Sequence, residues 1–240
     1  MAVQRLDKVL ASTGKWSRRE VKMLVRQGRV LVDGVPAASP EQKVDPDAVQ
    51  LCVNGEEIAY RRYTWLMLNK PAGYLSATSD GRGATVLDLL PQELQRLGLF
   101  PVGRLDKDTE GLLLITDDGA LSHALMSPNR HVEKEYEAVV DGALAADAVS
   151  RFEQGMTLRD GTECKSAKLE ILETEPELRV RVTLKEGKYH QVKRMIAAVG
   201  GTVTALKRLR LGGLWLDKTL APGEFRELTQ EELEKLTSQT

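Results

Sequence analysis

Cysteine is almost absent from this chain: 240 residues hold only Cys52 and Cys164, far apart. Two isolated thiols make neither a disulfide framework nor a zinc site, and they suit a reducing compartment. Histidine is equally scarce, and His123, His131 and His190 lack ligand spacing, so no metal is expected. No apolar run approaches the ~20 residues that a membrane helix needs. The start, Met1 to Asp7, lacks the apolar stretch of a signal peptide, so a cytoplasmic, membrane-free protein is expected. Internal repeats and low-complexity tracts are missing too. Net charge is only −1, which by itself says nothing about an anionic partner. What is present is a core: 42% hydrophobic and 29% charged residues support one large domain, or a medium one with a small one.

The charge is unevenly spread. Residues 1–30 carry eight basic side chains (Arg5, Lys8, Lys15, Arg18, Arg19, Lys22, Arg26, Arg29) against Asp7 and Glu20. A neutral chain with one strongly basic end is a candidate polyanion binder, although a solvated helix face would look the same. Ser17-Arg18-Arg19-Glu20 reads as a capping box. Val21, Leu24 and Val25 then recur at helical spacing, and Gly28 stops the helix. Arg18, Lys22 and Arg26, four apart, share a face away from that stripe. An earlier helix fits Leu6 to Ser12, and Val30-Leu31-Val32 before Asp33-Gly34 reads as a strand entering a tight turn. Two short helices on a small hairpin, with one basic face, suit RNA.

A linker is expected over 54–63, dividing the chain into residues 1–60 and 61–240. The second unit opens with the strand-like run Trp65 to Leu68, stopped by Asn69-Lys70-Pro71-Ala72-Gly73. Residues 76–85 read as a mobile polar loop. Strands fit Leu112–Thr116, Tyr136–Val140, Leu178–Leu184 and Thr202–Leu211; helices fit Val86–Leu90, Asp147–Glu153 and Val192–Val199. A short surface helix fits the acidic tail after Gly223. The elements do not alternate strictly, so the fold class is α+β rather than doubly wound.

Three segments could carry chemistry. Gly103-Arg104-Leu105-Asp106-Lys107-Asp108-Thr109-Glu110-Gly111 feeds a buried strand, which would hold a carboxylate on a rigid support. A solvated turn accounts for Lys107 and Asp108. A calcium loop matches Asp106, Asp108, Glu110 and Gly111, but fails at Asp117, where a glutamate belongs, and its flanks are not helical. A nucleophilic Asp106 would need a fixed Lys or Arg nearby to keep it ionised in a dry pocket. The stretch Lys185 to Met195 can supply one. There Lys188 and Arg194 could equally touch RNA phosphate, and His190, with no carboxylate near it in sequence, reads as structural. His131 to Glu137 enters a strand whose alternation puts Lys134 and Tyr136 on one face, where Tyr136 could stack on a nucleobase.

Two resemblances follow. Arg5-Leu6-Asp7-Lys8-Val9-Leu10, Ser17-Arg18-Arg19-Glu20 and Gly28 to Gly34 resemble the RNA-binding module named after the fourth small-subunit ribosomal protein, over roughly residues 3–50. Asn69-Lys70-Pro71-Ala72-Gly73-Tyr74, Gly103-Arg104-Leu105-Asp106, Lys134-Glu135-Tyr136 and Gly187 to Met195 resemble the pseudouridine synthases of the RsuA type. They stand in the family's order, over nearly the whole chain.

The resemblance implies isomerisation of uridine to pseudouridine in ribosomal RNA, with no cofactor. It implies a catalytic domain with a central, largely antiparallel mixed sheet behind a small helical RNA-binding domain. Asp106 matches the essential aspartate, which attacks the sugar or triggers glycal formation. Tyr136 matches the tyrosine that stacks on uracil, Lys193 the aspartate's basic partner, and Arg104 the arginine that fills the gap left by the flipped base. Arg194 stands by for Lys193, should the register slip by one. Lys70, Lys188 and Arg194 join Arg5, Lys8, Arg18, Arg19, Lys22 and Arg26 as candidate RNA contacts. The expected substrate is small-subunit ribosomal RNA in a pre-ribosomal particle, met by a monomer. Large-subunit RNA is the alternative, and a non-catalytic ribosome-assembly factor is the alternative of another class.

Overall fold

The computed structural model describes residues 3–58 and 60–238. They cluster into two compact units, one running to Thr64 and including Leu90–Leu99, the other comprising Trp65–Leu89 and Phe100 onward. In the first, helices Leu6–Ala11 and Arg18–Arg26 bury Leu6, Val9, Leu10, Val21, Leu24 and Val25 against an antiparallel sheet. That sheet is ordered Val35–Pro36, Val30–Val32, Leu51–Val53, Glu56–Ile58. The capping box forms in full: the Glu20 N–H donates to Ser17 Oγ, and the Ser17 N–H donates to the Glu20 carboxylate at 2.6 Å. The expected linker at 54–63 begins too early, because Glu56–Ile58 completes this sheet; Ala59 lies outside the described residues.

The second unit is built on one mixed sheet. Its strands run Lys168–Glu173, Leu178–Leu184, Lys134–Asp141, Thr202–Leu211, Glu110–Thr116, Trp65–Lys70 and Phe225–Glu227 across the sheet. Every neighbouring pair is antiparallel except Thr202–Leu211 beside Glu110–Thr116. The α+β, largely antiparallel architecture is therefore the expected one. Parallel pairing requires the Lys207–Arg208 backbone to approach Gly111 closely: at φ 99 a Cβ there would strike the Arg208 carbonyl.

Trp65–Lys70 is buried at all six positions, so it runs as a central strand with covered faces. It also outlasts its expected stop, because Asn69 pairs with Leu112 and Lys70 with Gly111 before Pro71 ends it. The segment expected to be mobile is tied at both ends: Leu75 bridges Thr85, and Ser76 and Thr85 are buried. The tail helix Gln230–Thr237 forms, and it is more than a surface feature: Leu236 is fully buried in the core with Trp65, Met67 and Leu112.

Candidate active site

Asp106 sits on the turn that leads into Glu110–Thr116, and the backbone of that turn is fastened from below. Ser76 Oγ donates to the Leu105 carbonyl at 2.9 Å and accepts the Leu105 N–H at 3.0 Å. Lys70 is fully buried, and its ammonium donates to the carbonyls of Pro71, Lys107 and Thr109 at 3.0, 3.2 and 2.8 Å. The Gly73 N–H caps the Lys107 carbonyl again at 2.8 Å. Burial pushes the Lys70 amine down to about 8, against the pull of Asp108, Glu110 and Asp106. The carboxylate is thus carried by a loop whose backbone polar groups are held by side chains, the support that a reacting group needs.

Above that loop lies a cavity of about 90 Å³ lined by Arg104, Asp106, Thr109, Tyr136 and His190, among others. Lys193 Nζ stands 3.7 Å from Asp106 Oδ2, and His190 Nε2 stands 3.6 Å from Asp106 Oδ1. A nearer carboxylate competes: Lys193 Nζ is 2.6 Å from Asp108 Oδ1, and this hydrogen bond holds the Asp108 carboxyl below its usual range. Tyr136, 9% exposed, supplies the floor from the strand Lys134–Asp141. Both basic groups come from the start of the helix Gln191–Ala198. His190 precedes it in the left-handed region at φ 49. Gln191 is buried, accepts the Lys188 N–H at 2.9 Å and donates to Glu186 at 2.7 Å, which fixes the turn presenting them.

Asp106, Tyr136, Lys193 and Arg104 therefore meet in one cleft, with Arg104 exposed at its rim. Three expectations need correcting. Lys70 cannot touch RNA, because its ammonium is sealed under the Asp106 loop by three carbonyls. Arg194 does not stand in for Lys193: one residue further round the helix it turns to Asp160, Thr162 Oγ1 and the Tyr189 carbonyl. His190, read as structural, faces Asp106. Arg5 is not among them: it bonds Asp7 and, at 3.0 Å, Glu41, and its side chain stays exposed.

Lys188 lines the cleft while its amine is bound to the Glu163 carbonyl. Lys8, Arg18, Arg19, Lys22 and Arg26 are exposed on the first unit, Lys22 lying 3.9 Å from Glu41. Ser76, Gln191 and His190 were missed because polar residues in loops announce nothing about which distant backbone they meet. Among the described residues, no three His, Cys, Asp or Glu side chains converge as metal ligands would.

Beside Tyr136 the sheet carries two cations held by backbone carbonyls: Lys134 donates to the Val132 carbonyl at 2.9 Å, and buried Arg208 donates through Nε to the Leu112 carbonyl at 2.8 Å. Burial, and then the charge of Arg208, lower Lys134 from 10.5 to about 8. Between these values the unfolded chain keeps the proton that the folded chain has lost, so this group's contribution to stability rises with pH. Wild type should therefore gain stability relative to Lys134→Met between pH 8 and 10.5, by denaturant unfolding at each pH. A flat difference would show that Lys134 stays charged.

Comparison with known proteins accounts for both units. Residues 64–198 match the family model for RNA pseudouridylate synthase, and residues 4–49 match that of the S4 domain. The chain belongs to the RNA pseudouridylate synthase family. It is 50% identical over 233 residues to an uncharacterized RNA pseudouridine synthase of Bacillus subtilis strain 168, YtzG, covering 97% of this chain and 98% of that one. It is 41% identical over 230 residues to ribosomal small subunit pseudouridine synthase A of Escherichia coli K12, covering 95% and 98%. A crystal structure of a pseudouridylate synthase aligns over 97% of this chain and 99% of that chain, with a TM-score of 0.68 and 36% identity.

Proposed function

We propose that this enzyme isomerises a uridine of small-subunit ribosomal RNA to pseudouridine, with Asp106 as the reacting carboxylate. The observation that carries this reading is Asp106 at the head of the cleft, one oxygen facing Lys193 and the other His190. In the reaction the bond from the sugar's anomeric carbon to ring nitrogen one breaks, and a bond to ring carbon five forms. The proton of carbon five leaves, and nitrogen one ends protonated, so nothing is oxidised or reduced.

Asp106 either adds to the anomeric carbon or takes a sugar proton to form a glycal. Once RNA covers the cleft and water leaves, Lys193 supplies charge that offsets the desolvation of Asp106. Tyr136 offers its ring to the flipped uracil, and Arg104 at the rim offers a side chain for the vacated stack; together they offset part of the few kcal/mol that flipping costs. The choice of small-subunit RNA follows the relative of that name, 41% identical over 95% of this chain. We take the enzyme to work as a monomer in the cytoplasm on an assembling particle. Among the described residues no helix is long and apolar enough to cross a membrane.

Tritium release from uridine labelled at ring carbon five tests the reading, in unmodified small-subunit ribosomal RNA assembled with its proteins. Release is expected. Release from large-subunit RNA alone would move the substrate, and release from neither would leave a binding factor.

The exposed arginines of the helix Arg18–Arg26 supply phosphate contacts that position RNA without reading its sequence. Arg18→Glu with Arg26→Glu should weaken RNA binding and flatten its salt dependence by roughly two counterions. Filter binding across a salt series checks this, and unchanged affinity would move the footprint elsewhere.

A further inference from the structure

Resting on that uridine-isomerase reading, we propose that Tyr189, backed by His190, is a stacking platform for the base of a nucleotide next to the target uridine. Tyr189 is 75% exposed, the most exposed of the chain's large hydrophobic side chains described. An aromatic ring in water beside an active cleft is unusual enough to need an account. One face of this ring is covered: it stacks on His190 with centroids 3.8 Å apart and planes inclined by 18°. Its remaining surface is left to solvent, and no side chain is hydrogen-bonded to its hydroxyl among the described residues.

The surroundings point to a single strand of nucleic acid. A second cavity, of about 420 Å³, adjoins the Asp106 cleft and shares Arg104, Leu105, Asp106, Gly187, Lys188 and His190 with it. Tyr189 and Lys107 line the second cavity only. A strand that delivers one base to Tyr136 must carry its neighbour away from Asp106, and this cavity has Asp106 in common with the cleft. Its lining holds the exposed cations Arg104 and Lys107, beside a flat aromatic face. Cations that follow the phosphates, with an aromatic ring for the base, are how single-stranded RNA is held. The Tyr189–His190 pair would then continue the base stack that flipping interrupts.

A rival account is that Tyr189 merely props the His190 ring beside Asp106. The two are separated by a cycle in which the partner base is removed as well as the side chain. Once the modified uridine has been located by sequencing the RNA for pseudouridine, RNAs carrying an abasic ribose on its 5′ or its 3′ side are assayed with wild type, Tyr189→Ala and Tyr189→Phe. Tyr189→Ala should lower kcat/KM about tenfold, chiefly through KM, whereas Tyr189→Phe should match wild type. One of the abasic RNAs should cost wild type a similar factor and cost Tyr189→Ala nothing further. If both abasic RNAs penalise Tyr189→Ala as much as wild type, the platform is excluded and the prop stands. If wild type releases no tritium from any ribosomal RNA, the isomerase reading falls, and the platform with it. The two failures are thus distinguishable.

Discussion

Asp106→Asn should reduce tritium release by at least about a thousandfold, while the protein folds and binds RNA as before. An amide is a poor nucleophile and a poor base, so either route through the anomeric carbon or the sugar proton is closed. The fold should not notice. The Asp106 carboxylate meets His190 and Lys193 only at 3.6 and 3.7 Å, and the loop beneath it is held by Ser76 and Lys70 instead. Lys193 keeps its closer bond to Asp108 at 2.6 Å, so no buried cation is orphaned. Single-turnover release, a thermal melt and filter binding read the three consequences separately. Residual activity within tenfold of wild type would remove Asp106 from the chemistry.

Lys70→Met should be the costliest change outside the cleft wall. It preserves length and much of the volume, yet it strips three carbonyls of their donor. Each buried acceptor left unpaired costs about 1–3 kcal/mol, though the Gly73 N–H still serves the Lys107 carbonyl. Part of this is returned, because burial already disfavours the ammonium enough to lower it to about 8. A net loss of roughly 2–4 kcal/mol is expected in denaturant unfolding. Activity should fall further than stability explains. The same ammonium ties the loop on both sides of Asp108, and a misplacement of about 1 Å at a reacting group costs on the order of a hundredfold. The measurement is kcat at a temperature where the variant is fully folded; a wild-type kcat there would mean that Ser76 and Gly73 suffice to place Asp106.

The local elements were legible because their causes are local. The Ser17–Glu20 box and the Val21, Leu24, Val25 stripe predict a helix, and Arg18–Arg26 is one. The segment Thr202–Leu211, opening on Thr-Val-Thr, is a strand with the expected bounds. Motif order pointed to one aspartate, one tyrosine and one lysine, and these three meet. Lys70 is the instructive failure. Asn-Lys-Pro-Ala-Gly has the composition of an exposed turn, and nothing within it reveals that Lys107 and Thr109 will offer their carbonyls. His190 failed likewise, since its carboxylate lies far off in the chain and arrives only through the sheet.

Periodicity, capping and turn chemistry act over a few residues, so the sequence by itself determined most of the helices, the five central strands of the large sheet, the basic face and the family-defining motifs; the helix Gly119–Met126 and the short edge strands were not read from it. Which polar groups share a dry space depends instead on strand pairing. Glu110–Thr116 beside Trp65–Lys70 buries the lysine under the Asp106 turn, and the helix Gln191–Ala198 presents His190 and Lys193 to the same carboxylate. Tertiary structure alone decided those meetings, because the free energy of a buried ammonium or carboxylate is set by neighbours from distant parts of the chain.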